Sequence, residues 1–427
     1  MIPSEKRIIA IALMIYIMRT DVGLVLSVFF ISIYDKTKLR PYRGNYKLQR
    51  SFSIIVYMKR NIALTNGIIY TGNQILHGKA LLINAGEIQT IIDAKKIPEG
   101  YDIVDVQGKN ICPGLIDLQI YGTGDQLFSA ELTAESIYKI EDQLLQQGCT
   151  SFFLTLATNT IELFKEAIAV YQSADLKVAL GLHLEGPFLN PAKRGAHPED
   201  LIIIPTIDIL EDLFAGDNGV VKIMTVAPER TSDECLNFLQ NKGVLISAGH
   251  SNATFDEAIS SFDKGVKTVT HLWNAMSPLH HRNIGLPGAT YNHGTVNASI
   301  IVDGIHVNYE AVKISKAMMQ ERLFLITDAV ASCDKGIYQH VLNGDHYVLP
   351  DGTLSGSALS LLKAIENCVK LVGISLEEAI RMATLYPANL INRTDLGRLE
   401  QGALANILVF DSDYSVDSVY FEGERVK

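Results

Sequence analysis

From Gly114 to about Asn392 the chain repeats one unit: a short apolar run, a polar loop, and an amphipathic stretch with helical spacing. Eight apolar runs are legible, at 115–120, 151–156, 178–184, 220–226, 244–247, 268–271, 298–301 and 323–327. Helical periodicity fills 134–147, 161–174, 233–241, 254–264 and 309–320 between them, with two more helices at 360–372 and 375–385. A helix between two strands carries the chain back across the sheet, so successive strands run parallel. Parallel sheets are covered on both faces, and their strands therefore read as near-continuous apolar runs, as these do. Eight such units favour an α/β fold of the closed, TIM-like (β/α)8 barrel type over an open sheet.

A barrel leaves part of the chain over. The length, 427 residues, exceeds the roughly 250–300 at which a single core stops growing, so an accessory domain is expected. Short β-like runs separated by Gly and Asn turns occupy 62–64, 67–70, 80–84, 87–92 and 103–106, and strand-like sequence returns at 405–411 and 415–422. Together they predict a small, discontinuous β-sandwich built from 58–112 and 393–427, flanking a hydrolase barrel at 113–392.

The first 57 residues differ from the rest. They hold nine Lys or Arg against three acids, a net of +6, which leaves −16 for the remainder of a chain whose total is −10. Two apolar runs, 8–18 and 22–33, are each shorter than the ~20 residues that span a bilayer, and Arg19 and Asp21 stand between them. No small-residue cleavage site follows. The segment reads as an extension outside the functional protein, whose natural start is then Met58, with a membrane anchor at 8–33 or a structured extension as the alternatives. The acidic total excludes a nucleic-acid partner, which would demand clustered Lys and Arg. Five Cys at irregular spacing, with no C-x-x-C pair, support neither a zinc knuckle nor a disulfide framework, and point to a reducing cytoplasm.

Polar residues of the catalytic kind collect where barrel strands end: His183 and Glu185 after the third, His250 after the fifth, His271 at the sixth, Asp328 after the eighth. In such a barrel the C-terminal strand ends form one face, and that face carries the chemistry. Each residue alone has a structural reading. Asp328 could cap a helix, Glu185 before Gly-Pro could serve a turn, and a lone His is often only hydrogen-bonded. Four strand ends delivering such residues to one lip outweigh those separate coincidences. Glu185, His250 and His271 offer one carboxylate oxygen and two imidazoles, a set suited to one divalent metal with a position left open for water. Asp328 then serves as the general acid/base.

These motifs resemble those of the N-acetylglucosamine-6-phosphate deacetylases of the amidohydrolase superfamily. The likeness rests on His183-Leu184-Glu185-Gly186-Pro187-Phe188, Arg194-Gly195-Ala196-His197, Ala248-Gly249-His250-Ser251, Thr270-His271-Leu272-Trp273-Asn274-Ala275-Met276, Val302-Asp303-Gly304-Ile305-His306 and Thr327-Asp328-Ala329. It runs from about residue 58 to the C-terminus. The resemblance implies hydrolysis of N-acetyl-D-glucosamine 6-phosphate to D-glucosamine 6-phosphate and acetate in a cytoplasmic homodimer. The alternative is another N-acetylated amino sugar or sugar phosphate. It also implies Glu185, His250 and His271 as metal ligands, Asp328 as acid/base, and His197 polarising the acetamide. Asn274, Ala275, Arg282 and His306 are implied to contact the sugar phosphate, some of them from the second subunit. Zinc is the expected ion, with iron, manganese or cobalt also suited. Many amidohydrolases end the first strand with His-x-His, which holds a second metal. Here Gln119 and Tyr121 stand there, and both are poor ligands at neutral pH, so one metal per subunit is expected. Members with one metal usually carry Asn at the second of these places, so Tyr121 departs from that pattern as well.

Overall fold

The eight apolar runs form one parallel sheet, in sequence order, in the computed structural model, which describes residues 11–20, 23–32, 52–55 and 61–427. Its strands are β1 (Leu115–Ile120), β2 (Cys149–Ala157), β3 (Ala179–Glu185), β4 (Val221–Val226), β5 (Leu245–Ala248), β6 (Thr268–Val269), β7 (Asn297–Ile300) and β8 (Leu323–Leu325). Every residue of β1 is buried, as a sheet covered on both faces requires. The seam between β1 and β8 closes at the C-terminal lip, through a parallel bridge of Ile120 with Ala329. Asp328 N donates to Gln119 O at 3.0 Å, and Tyr121 N to Ala329 O at 2.9 Å. One turn below, the buried Asp117 carboxylate accepts from Gln119 N, Thr327 N and, at 2.5 Å, Thr327 Oγ1. The TIM-like barrel expected from the sequence is borne out.

Helices cover the barrel outside: α1 (Ala134–Gln146), α2 (Ile161–Ser173), α3 (Ile207–Leu213), α4 (Asp233–Asn241), α5 (Phe255–Asp263), α6 (Gly285–Asn292) and α7 (Tyr309–Met319). Their starts are chemically marked. Thr133, Thr160, Thr206, Ser232 and Thr254 each accept a backbone N–H of the first turn, and Thr254 with Glu257 completes a capping box. α1 turns Ile137, Ile140 and Leu144 inward at helical spacing. α3 and α6 were not expected. α3 is only seven residues long, and α6 is buried almost all round, so neither shows a two-faced pattern.

The barrel interior is polar just below the lip. His183 Nδ1 meets Leu118 O at 3.1 Å and its Nε2 meets Thr225 Oγ1 at 2.7 Å, and Thr225, Thr270 and Ser247 continue as linked hydroxyls. Burial pushes His183 down to about 4, so this imidazole is a neutral strut between strands.

Two further sheets make the accessory sandwich. The larger joins Asn110–Pro113 antiparallel to Ile407–Phe410, with Val416–Phe421 beyond and Ile68–Tyr70 parallel on the other side. The smaller holds Glu87–Asp93, Lys79–Asn84, Ile62–Thr65 and Asp102–Asp105. Leu64, Leu81, Ile83, Ile111, Ile407 and Val409 form the core between them. This smaller sheet is mixed, since Ile62–Thr65 pairs antiparallel with Lys79–Asn84 and parallel with Asp102–Asp105. After β8 comes an unexpected three-stranded antiparallel excursion, Val341–Asn343, His346–Val348 and Leu354–Ser357.

Residues Met1–Arg60 form a unit separate from Asn61–Lys427. In it Ile11–Thr20 and Gly23–Ser32 pair antiparallel, and Phe52–Ile55 adds a third strand. The proposed start at Met58 lies outside the described residues. No helix among the described residues is long and apolar enough to cross a membrane.

Candidate metal centre

Glu185 closes β3, and its carboxylate is the point on which the lip converges. His271 Nε2 lies 3.0 Å from Glu185 Oε1, His250 Nε2 lies 3.4 Å from the same oxygen, and the two imidazole nitrogens are 3.1 Å apart. Ligands about 2.0–2.1 Å from a tetrahedral zinc stand roughly 3.3 Å from one another, so this triangle has the edge lengths of one face of such a site. Glu185, His197 and His250 form a second, overlapping triplet within 4.8 Å. Hydrogen positions differ between the two. His250 Nδ1 faces Lys193 O at 2.9 Å; a carbonyl only accepts, so Nδ1 carries the hydrogen and Nε2 keeps its lone pair. His197 Nδ1 instead accepts from Thr158 N at 3.3 Å, which puts the hydrogen of the neutral ring on Nε2 and makes that atom a donor. His197 is thus suited to hold Glu185 Oε2, 3.3 Å away, or a substrate carbonyl. His271 Nδ1 is buried with no partner among the described residues, so its ring is oriented by what stands at Nε2.

The local backbone is built for this convergence. His250, His271 and Asp328 adopt left-handed conformations, with φ of 47°, 34° and 55°. Such values are uncommon outside glycine and cost of order 1–3 kcal/mol each. They turn each side chain off its strand and toward the barrel axis. His197 comes from the loop after β3, brought close by Gly195 (φ 56°), where an added Cβ would stand 3.3 Å from the His250 ring. The rings of His197 and His250 meet edge to face at 4.3 Å, and those of His250 and His271 at 4.9 Å.

Charge follows burial. Burial drives His250 down to about 4, with His197 adding to the effect, so its imidazole is neutral at pH 7. Burial works against ionised Glu185, yet the imidazoles of His197, His250 and His271 grouped around it hold its carboxyl well below the usual range. Asp328 is half-buried at the cavity wall. Burial raises its carboxyl above the ordinary value, His271 opposes this, and Glu185 adds to it. Gln119 Nε2 lies between the two acids, 3.1 Å from Glu185 Oε1 and 2.7 Å from Asp328 Oδ1.

These groups face a cavity of about 420 Å³, a size suited to a small metabolite. Asn274, Ala275 and His306 line it. Asp303 Oδ2 holds His306 Nδ1 at 2.6 Å; burial resists, but that contact keeps Asp303 below its usual value. Arg282 is exposed on the 278–283 loop and is not among the residues lining the cavity. The sequence reading overlooked Tyr338 and His340. His340 is buried, meets Ser355 Oγ at 3.0 Å and lines the cavity, and Tyr338 donates to Thr158 O at 2.7 Å. Both belong to the excursion after β8, whose Asn343-Gly344 and Asp351-Gly352 pairs are hairpin turn signals.

Residues 110–426 match the amidohydrolase family, and residues 62–111 match the NagA composite domain. An N-acetylglucosamine-6-phosphate deacetylase of Haemophilus influenzae is 35% identical over 379 residues, covering 85% of this chain and 98% of that protein. The Homo sapiens enzyme of the same name is 32% identical, covering 86% and 96%. Among solved structures, the deacetylase from Pasteurella multocida superposes with a TM-score of 0.82 at 33% identity, covering 86% of this chain and 99% of that one. A substituted Mycobacterium smegmatis deacetylase, solved in complex with N-acetyl-D-glucosamine-6-phosphate, gives 0.80 at 27% identity, covering 86% and 99%.

Proposed function

The chain belongs to the amidohydrolase family, among its N-acetylglucosamine-6-phosphate deacetylases, and from that premise we propose that it hydrolyses N-acetyl-D-glucosamine 6-phosphate to D-glucosamine 6-phosphate and acetate. The observation that carries this reading is the triangle of Glu185 Oε1, His250 Nε2 and His271 Nε2, with Asp328 tied to Glu185 through Gln119. One divalent ion on those three residues, zinc by preference, would lower the pKa of a bound water toward ~7 and polarise the acetamide carbonyl.

The protein's own groups do the rest. Gln119 occupies Asp328 Oδ1, so the proton moves on Oδ2: Asp328 takes it from the attacking water and returns it to the amine nitrogen as the C–N bond breaks. Its raised pKa suits both directions of that transfer. His197, fixed by Thr158 as an Nε2–H donor, steadies the carbonyl oxygen as negative charge grows there. Asn274, Ala275 and His306 hold the sugar phosphate, and the Asp303 contact orients the His306 ring. Arg282, outside this chain's cavity, is assigned to the phosphate in a neighbouring copy's site, which makes the working unit a homodimer. A phosphorylated sugar as substrate agrees with a cytoplasmic place. The barrel residues 113–392 hold the whole cavity lining, so the first 57 residues are read as an extension and the sandwich as support.

The direct test is acetate release from N-acetylglucosamine 6-phosphate by the purified full chain. Release that stops with chelator and returns with zinc is expected. No release with metal restored, or release unaffected by chelator, would overturn the reading.

A further inference from the structure

Tyr121 has no part in the reaction above, yet its hydroxyl touches the central carboxylate. The two oxygens of Glu185 are used differently. Oε1 faces His271 Nε2, His250 Nε2 and Gln119 Nε2. Oε2 faces two other groups, the Tyr121 hydroxyl, in a short hydrogen bond, and His197 Nε2 at 3.3 Å. Gln119 Nε2 also lies 3.1 Å from Tyr121 Oη. An ionised carboxylate only accepts, so the phenol hydrogen is the one shared with Glu185 Oε2. The ring cannot swing away. It is 8% exposed and packs in a cluster with Leu127, Val330, Ala331 and Tyr347.

We propose that Tyr121 is a positioning residue that makes Glu185 a one-oxygen ligand. Its O–H occupies Oε2, which His197 Nε2–H also faces until a substrate carbonyl takes that donor, and only Oε1 is offered to a metal beside His250 and His271. The same arrangement keeps a second cation out. One Glu185 oxygen is already taken by the Tyr121 hydroxyl, and the Gln119 amide fills the place between Glu185 and Asp328 that a bridging ion would need. The inference rests on the reading of Glu185 as a metal ligand, but not on the identity of the substrate.

Phenylalanine at this position keeps the ring and removes only the donor. The metal-free full chain, wild type and Tyr121→Phe, is titrated with Zn2+ against a competing chelator, with Co2+ spectra recorded in parallel and far-UV circular dichroism confirming the fold. Hydrogen bonds to a metal's ligands are typically worth 10–100-fold in affinity. A loss of at least tenfold, with a shifted Co2+ absorption as Glu185 turns to bind through both oxygens, is expected. A loss smaller than tenfold overturns the proposal. Should Tyr121→Phe not fold, the zinc-loaded wild-type crystal structure decides. Glu185 bound through Oε1 alone, with Tyr121 on Oε2, supports the role, and both oxygens on the ion overturns it. Because these readouts involve no substrate, a chain that binds metal in this Tyr121-dependent way but releases no acetate would refute the proposed reaction and leave the inference standing.

Discussion

Asp117 sits at the seam of the barrel with its carboxylate enclosed by β1 and the residues after β8, and its replacement by Asn isolates the effect of one buried charge. Burial pushes this carboxyl up to about 7, against 3.8 for the free group, although Thr327 and Gln119 donate to it. Below pH 3.8 both the folded and unfolded chains hold the proton. As pH rises from there to about 7 only the folded chain keeps it, so stability from this group is lost progressively, and above about 7 the loss is complete. The interval between 3.8 and about 7, at about 1.4 kcal/mol per pH unit, sets the full loss at about 4 kcal/mol, of which about 3 falls between pH ~4.5 and pH ~8. Asn at 117 retains an oxygen for the Gln119 and Thr327 amides and places an NH2 against Thr327 Oγ1, with nothing to ionise. Urea unfolding can be followed through the single tryptophan, Trp273, which is anchored to Ser315 by its indole N–H. Relative to Asp117→Asn, the wild type should lose about 3 kcal/mol more over that pH span. Parallel pH profiles, within about 0.5 kcal/mol of each other, would show that Asp117 is ionised throughout and that the Thr327 and Gln119 donors outweigh its burial.

Other outcomes follow from the site. Asp328→Asn keeps the hydrogen bond from Gln119 and the ligand triangle, so it should bind metal like the wild type while kcat for acetate release falls by about 10²–10⁴. Retention of the wild-type rate would remove Asp328 from the proton path. Elemental analysis of the purified protein should give one divalent ion per chain; a value near two would mean that Gln119 and Tyr121 do not exclude the second. His306→Ala should raise KM for the phosphorylated sugar by about tenfold and leave turnover of the unphosphorylated sugar little changed, since the contact at stake is one charge-assisted hydrogen bond. An equal effect on both sugars would place His306 elsewhere on the substrate.

The barrel was legible because parallel strands bury both faces, and all eight strands begin and end within two residues of the apolar runs. The sixth and eighth end early. His271 and Asp328 turn left-handed just where the apolar pattern would have extended the strands, so hydrophobicity continues after the ladder has stopped. The strand-end rule therefore found Glu185, His250, His271 and Asp328, because position in the repeat alone carries them to one face. It could not find what orientation decides. That Gln119 joins two acids, that Tyr121 points its hydroxyl at Glu185, and that Thr158 fixes the tautomer of His197 are matters of rotamer and register. The excursion bearing Tyr338 and His340 was missed for another reason. Its strands are three or four residues long and half-exposed, too short for alternation to stand out.

The left-handed backbone at His250, His271 and Asp328 sets stability and chemistry against each other at single positions. Glycine fits those dihedrals without strain, and asparagine nearly so, whereas histidine and aspartate hold them at a cost of order 1–3 kcal/mol each. A screen that rewards heat resistance alone should therefore drift toward Gly or Asn at these three places, enriching chains that melt later and hydrolyse nothing. In a lineage that no longer needed the enzyme, the lip of the barrel would be the first part to change, and the fold would outlast the activity.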